Sequence, residues 1–470
     1  MKKIITLLLL GLMVSSYADV RVLKHNKAAE VFTNWHFFEN GRGMTISPNM
    51  SRLMWMLGED RRAENKADPI TRLISKRYGF VEKDDKLMGV FNVKYKNMDV
   101  GVLGCTACHS GKAAGVFVPG LGNKTIDPYL ISRDTLKIQR FWGWGNQDPD
   151  YKYIHNKALA FAKVTSDPKI SSLTRGLVPD STIKTFFYKD HGLEYPKDMG
   201  RAQVKAPHLW GIKEKRLHGI FNDGSLSGES YAWIFGAELF ASDSGDHLRA
   251  VLPQIKWLTD EVLANLLPPS YPFKVDKEAV FKGEVLFKKT CMKCHGEHQR
   301  DPQGHPIYTA PKIIPQKVVK TDHEKLKAIS PEFVRLVETG SLGDILTFNH
   351  DKIQKGYFAP KLWGVWSRFP YMHNASIPSL YQVMLPPEKR SSIFSMLEAG
   401  EEHRFDKVHV GLTLFEKREL PRMLRRAKRG DRDIYFIQRE GQSNKGHYFD
   451  SFTKLSHQER LAIVEYLKTL

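Results

Sequence analysis

The 470 residues contain four cysteines, and these fall into two copies of one pattern: Cys105-Thr106-Ala107-Cys108-His109 and Cys291-Met292-Lys293-Cys294-His295. Two thiols three positions apart, followed at once by a histidine, suit thioether attachment of both haem vinyl groups with an imidazole placed under the iron. Two disulfides, a four-cysteine zinc site or a thiol redox pair would use the cysteines but give the histidines no role. The pattern therefore implies two covalently bound haem c groups. Cys105, Cys108, Cys291 and Cys294 would carry the thioether links, and His109 and His295 would be the proximal iron ligands.

What occupies the opposite face of each iron decides the chemistry. A second strong ligand makes an electron-transfer centre, whereas an open face admits oxygen or peroxide. For the second haem, His447 stands in the loop Asn444-Lys445-Gly446-His447, shortly before the last helix, where cytochromes c commonly present a sixth ligand. His373, in Pro370-Tyr371-Met372-His373-Asn374, is the runner-up, and Met384 reads as a core methionine beside Leu380 and Val383. For the first haem no histidine is marked out in the same way. His208 and His218 are possible ligands, while Trp210 and Phe221 could instead form an apolar distal pocket or be ordinary core aromatics.

The elements that must position these groups are mainly helical. Val100-Gly101-Val102-Leu103-Gly104 delivers the first motif, and a glycine-rich return follows at Val118-Pro119-Gly120-Leu121-Gly122. Pro268-Pro269-Ser270-Tyr271-Pro272-Phe273 stops the preceding helix and marks a boundary. Beyond it, residues 276 to 289 have a helical pattern with Gly283 and Phe287 on one face. Ser456 and Glu459 form a capping box ahead of the terminal helix, which carries Leu461, Val464, Tyr466 and Leu467. Gly283, Phe287 and Tyr466 look like the close crossing of first and last helices in small cytochromes c. One further echo joins the halves: Ala206-Pro207-His208-Leu209-Trp210-Gly211 matches Ala359-Pro360-Lys361-Leu362-Trp363-Gly364, each downstream of its own haem motif.

The N-terminus reads as an export signal, with Lys2 and Lys3, the apolar run Ile4 to Met13, and Ser16-Tyr17-Ala18 giving cleavage after Ala18. That run is too short to span a bilayer, so no transmembrane anchor is expected and the mature chain would be periplasmic. A formal net charge of +19 suits an acidic periplasmic electron donor or acceptor met by electrostatic steering, or a basic surface that merely confers solubility. Nucleic acid is not an expected partner, because no nucleic-acid module is recognisable.

These blocks resemble bacterial di-haem cytochrome c peroxidase-related proteins, and within them the rubber oxygenase-like branch. The resemblance rests on Leu103 to Gly111, Ala206 to Trp210, Pro268 to Phe273 and the second motif. It is strongest over Gly356-Tyr357-Phe358-Ala359-Pro360-Lys361-Leu362-Trp363-Gly364-Val365-Trp366, continuing through Phe369 to Asn374, Pro378 to Leu380 and Leu385 to Pro387. It implies a mainly α fold of two cytochrome c-like haem domains with long loops and helical extensions. The expected division is a signal peptide over 1–18, an N-terminal haem c domain over 19–267, a Pro-rich link over 268–275 and a C-terminal cytochrome c-like domain over 276–470. The first haem would react with a small oxidant such as peroxide or oxygen, and the second would be a bis-histidine relay. A non-enzymatic electron carrier and a dioxygenase cleaving an apolar alkene are the alternatives.

Overall fold

The computed structural model describes residues 25–37, 42, 45–48, 69–142, 147–212, 215, 245–309, 312–346 and 356–470. The expected signal sequence, His218 and Phe221 lie outside the described residues. Helices dominate, and the strands are short and antiparallel.

A three-stranded sheet leads into the first motif. Strands β1 (Thr45–Pro48), β2 (Val90–Tyr95) and β3 (Met98–Leu103) lie in the order β1-β3-β2, with Val90 opposite Leu103 and Tyr95 opposite Met98. Alternation along β3 puts Met98, Val100 and Val102 in a small core with Tyr151 and Ile154, which belong to a helix described below. Gly89, at φ 76°, brings the start of the hairpin against the motif, and a Cβ there would sit 1.9 Å from the Ala107 nitrogen. The chain returns through a second hairpin, β4 (Ser110–Ala113) with β5 (Val116–Pro119).

Helices α1 (Pro128–Trp142) and α2 (Pro149–Thr165) pack together, and α2 supplies Tyr151 and Ile154 to the sheet core. Asp148 caps α2 by accepting from the Asp150 and Tyr151 backbone nitrogens. Helix α3 (Asp180–Asp190) packs against residues Pro331–Thr339, and α4 (Gly245–Trp257) precedes the Pro268–Phe273 stretch. That stretch packs tightly: the Trp366 indole donates to the Pro269 carbonyl at 2.8 Å, and Tyr271 and Phe273 meet Phe405. Apolar burial explains this, since its aromatic side chains find partners from the C-terminal half.

In the C-terminal half, Asp276 caps helix α5 (Lys277–Thr290) through the Glu278 and Ala279 nitrogens. The terminal helix α6 (His457–Lys468) begins with the capping box of Ser456 and Glu459. The two helices cross at Gly283, where a Cβ would lie 1.9 Å from the Ala462 carbonyl oxygen. Phe287 and Tyr466 pack beside the crossing with ring centres 5.2 Å apart. Here close backbone approach requires glycine, as the residue spacing suggests.

One buried apolar cluster runs from Ala29 to Leu470 and includes Trp210, Trp363, Trp366 and Phe287, so both halves share a principal core. Two arginines also tie them. Arg432 forms a bidentate pair with the fully buried Asp127, and the buried Arg175 pairs with the partly exposed Asp433 at 2.8 Å. Removing Arg432 would leave the Asp127 charge buried and uncompensated, at a cost of about 3–5 kcal/mol. No helix among the described residues is long and apolar enough to cross a membrane.

Candidate haem centres

Both motifs adopt the same one-turn frame. His109 donates its backbone N–H to the Cys105 carbonyl at 2.9 Å, and His295 donates to Cys291 at 3.1 Å. The two cysteines and the histidine of each motif thus share a single helical turn, and all four cysteines are free thiols. Burial pushes the Cys291 thiol up to about 11.

The internal echo explains how each imidazole is oriented. His109 Nδ1 lies 2.9 Å from the Pro207 carbonyl oxygen, and His295 Nδ1 lies 2.8 Å from the Pro360 carbonyl oxygen. Each imidazole therefore donates from Nδ1, leaving the Nε2 lone pair to face a metal. Desolvation pulls both histidines down to about 4, opposed by the proline carbonyls. They stand neutral at physiological pH, the state a metal ligand requires. Proline and carbonyl recur at equivalent places in the two loops, and the sequence repeat is the trace of that shared function.

Across from His295 stands His447, with ring centres 6.2 Å apart and planes at 47°. His295 and His447 would together hold an iron placed between the two rings. His447 reaches this position from a strained turn: it has φ 46°, follows Gly446 at φ 82°, and donates its N–H to the Val319 carbonyl at 2.7 Å. A Cβ on Gly446 would lie 2.4 Å from the Val319 oxygen. Desolvation, with His295 and Arg390 nearby, pulls His447 down to about 3. Phe449 and Phe452 pack on its ring.

Residue type alone gives no hint of Arg390. It is 5% exposed, and its guanidinium donates to the carbonyls of Leu385, Asn444 and Gly446, at 2.9 Å for Leu385 and Gly446. It holds the His447 loop by its backbone, and backbone acceptors leave no mark in a sequence.

The other ligand candidates, His373, His208 and Met384, line the same cavity as the motif histidines but make different contacts. His373 stacks on Tyr357 at 4.7 Å and 16°, and its carbonyl accepts from the Lys205 nitrogen. His208 shares the Pro207 loop behind His109, and its Nε2 accepts from Arg368 Nη1 at 3.2 Å, because a guanidinium can only donate. Met384 is 3% exposed, in the core. Trp210 does not form a distal wall. It is 1% exposed, sits three residues past Pro207, and donates from Nε1 to the Trp363 carbonyl at 3.1 Å. The loop that orients His109 carries Trp210 away from the cavity, into the contact between the two echo segments.

One cavity of about 860 Å³ is lined by Cys108 and His109 together with Cys291, Cys294, His295 and His447. Its volume lies within the range of cofactor pockets, and Phe187, Phe333, Ile329 and Leu380 give it apolar walls. The thiols, the neutral imidazoles and the apolar space fit haem. When bound, haem supplies one-electron redox chemistry.

Residues 356–395 match the family described as RoxA-like, cytochrome c-like. This match covers the Pro360 loop that orients His295, as well as Arg390. The chain is also 29% identical over 157 residues to an uncharacterized protein, y4iM, of Sinorhizobium fredii, a match covering 27% of this chain and 34% of that relative. The chain thus spans about a third of the length of the relative it matches. Residues 356–395 are thus similar to a RoxA-like cytochrome c domain, and a cytochrome c-like domain implies haem c.

Proposed function

We propose that this protein is an exported, periplasmic di-haem c-type cytochrome acting as an oxidoreductase. The second motif, with His295 and His447, holds an electron relay. The first, with His109, holds the site that reduces a small oxidant, peroxide or oxygen. The observation carrying this reading is the asymmetry between the motifs. Among the described residues, His447 faces His295, and no imidazole ring is placed against His109 in the same way.

The chain's own groups have distinct tasks in this scheme. The Pro207 and Pro360 carbonyls fix the Nδ1 protons of the two histidines. Arg390 fixes the loop presenting His447. Trp210 and Trp363 join the two orienting loops through a buried hydrogen bond, giving a short packed path between the halves. Reduction of one peroxide to two waters consumes two electrons and two protons. An acidic electron-donor protein would supply the electrons, with a rate that falls as salt rises.

The RoxA-like match over 356–395 and the apolar cavity walls favour a second reading, oxygen-dependent cleavage of an apolar alkene. Titrating the fully reduced holoprotein with peroxide under argon separates the two. Oxidation of both haems by one equivalent of peroxide supports the first reading. Inertness to peroxide, with oxygen uptake on adding an unsaturated hydrocarbon, supports the second.

A further inference from the structure

The cavity wall holds two cations that lack a counter-charge, Arg368 buried and Lys205 half-buried. Arg368 is 8% exposed; its Nη1 donates to His208 and its Nη2 to the Lys361 carbonyl at 3.1 Å, while its Nε has no partner. Lys205 Nζ donates to the Arg368 and Pro370 carbonyls, both at 2.7 Å. Among the described residues no carboxylate lies within salt-bridge distance of either. Arg368, Lys205, His208 and Lys215 all line the cavity. Of the cavity's carboxylates, Asp180 is paired with Lys184, and Asp450 is exposed at the start of a short helical turn.

A buried charge without a counter-ion is unfavourable, and a bound anion with good hydrogen-bond geometry offsets the cost. Burial acts against both charges: desolvation and Arg368 pull Lys205 down to about 7, and desolvation pulls Arg368 down to about 10. The position of the cluster is specific. Lys205 lies two residues before the proline that orients His109, and Arg368 holds the carbonyl next to the proline that orients His295. An anion bound there would sit where the two histidine-orienting loops meet.

We propose that Arg368 and Lys205 form a carboxylate-binding site that takes haem propionates at the junction of the two motifs. This rests on the di-haem reading above. The site neutralises the two cations, and the cations in turn hold the propionates ionised and immobile. A cation so placed also stabilises the reduced haem, so it sets potential as well as position.

The test uses the holoprotein, with haem content verified first by a pyridine haemochrome spectrum. Absence of covalent haem overturns the di-haem reading itself, and the propionate proposal with it. With haem present, Arg368→Leu is compared with wild type by resonance Raman and by spectroelectrochemical titration. The expected result is a shifted propionate-bending band and about a tenfold loss of the preference for the reduced state, which is about 59 mV for a one-electron couple. Arg368→Lys is expected to restore most of both. Lys205→Gln provides the same readouts if Arg368→Leu does not fold. An unshifted propionate band in the folded variants overturns the proposal, whatever happens to the potentials.

Discussion

Trp210 Nε1 donates a hydrogen bond to the Trp363 carbonyl at 3.1 Å, and both side chains are 1% exposed. Each tryptophan belongs to a loop whose proline carbonyl orients a motif histidine. The bond therefore couples the placement of His109 to that of His295.

Trp210→Phe keeps an aromatic ring but leaves the buried Trp363 carbonyl without its donor. The expected cost is about 1–3 kcal/mol in chemical denaturation of the holoprotein. The absorption spectra of the haems are expected to be unchanged, since neither imidazole loses its proline partner.

His447→Gly removes the imidazole facing His295. The low-spin signal of one haem is expected to disappear, and added imidazole is expected to restore it. Electron paramagnetic resonance of the oxidised protein reads both steps. If His373→Gly has this effect and His447→Gly does not, the relay is assigned to the wrong loop.

Arg390→Met strips the donor from the carbonyls of Asn444 and Gly446 while leaving the ligand itself in place. A loss of about 2–4 kcal/mol is expected. A fraction of the protein should also lose the six-coordinate signal on warming, before global unfolding. Variable-temperature absorption beside a far-ultraviolet melt checks the order of the two events.

His298 should make the protein acid-sensitive. Its Nε2 accepts from the Leu362 N–H at 2.8 Å, so only the unprotonated ring fits, and desolvation pulls it down to about 3 from 6.5. The unfolded chain takes up this proton as pH falls through about 6.5, and the folded chain only near 3. Stability is thus full above 6.5 and is lost as pH drops through that window, by up to about 1.4 kcal/mol per pH unit. In His298→Gln, whose amide oxygen can accept from Leu362, urea midpoints measured across this range should show a slope shallower by about one proton. Equal slopes would exclude the role.

Much of the site is legible in the letters because it depends on residue type. The Cys-x-x-Cys-His pattern, the loop histidine before a capped terminal helix, and the glycine at the helix crossing each follow from side-chain chemistry or its absence. The repeat containing Pro207 and Pro360 is equally visible, but its task is not, because a carbonyl acceptor is common to every residue. Arg390 is hidden for the same reason. Trp210 misleads because a buried aromatic near a haem motif in sequence need not face the haem. Here its indole N–H seeks a carbonyl on the other side of the loop. Likewise the Pro268 to Phe273 stretch stops a helix, as its prolines require, yet its aromatics bind it into the shared core.

The proposed unequal ligation of two haem irons is tested most directly by electron paramagnetic resonance of the oxidised wild-type holoprotein, with and without cyanide. The expected result is one bis-histidine low-spin species that cyanide leaves unchanged, in equal amount with a second species that cyanide converts. Two bis-histidine low-spin species, both indifferent to cyanide, would contradict chemistry at the His109 haem and leave a carrier of electrons.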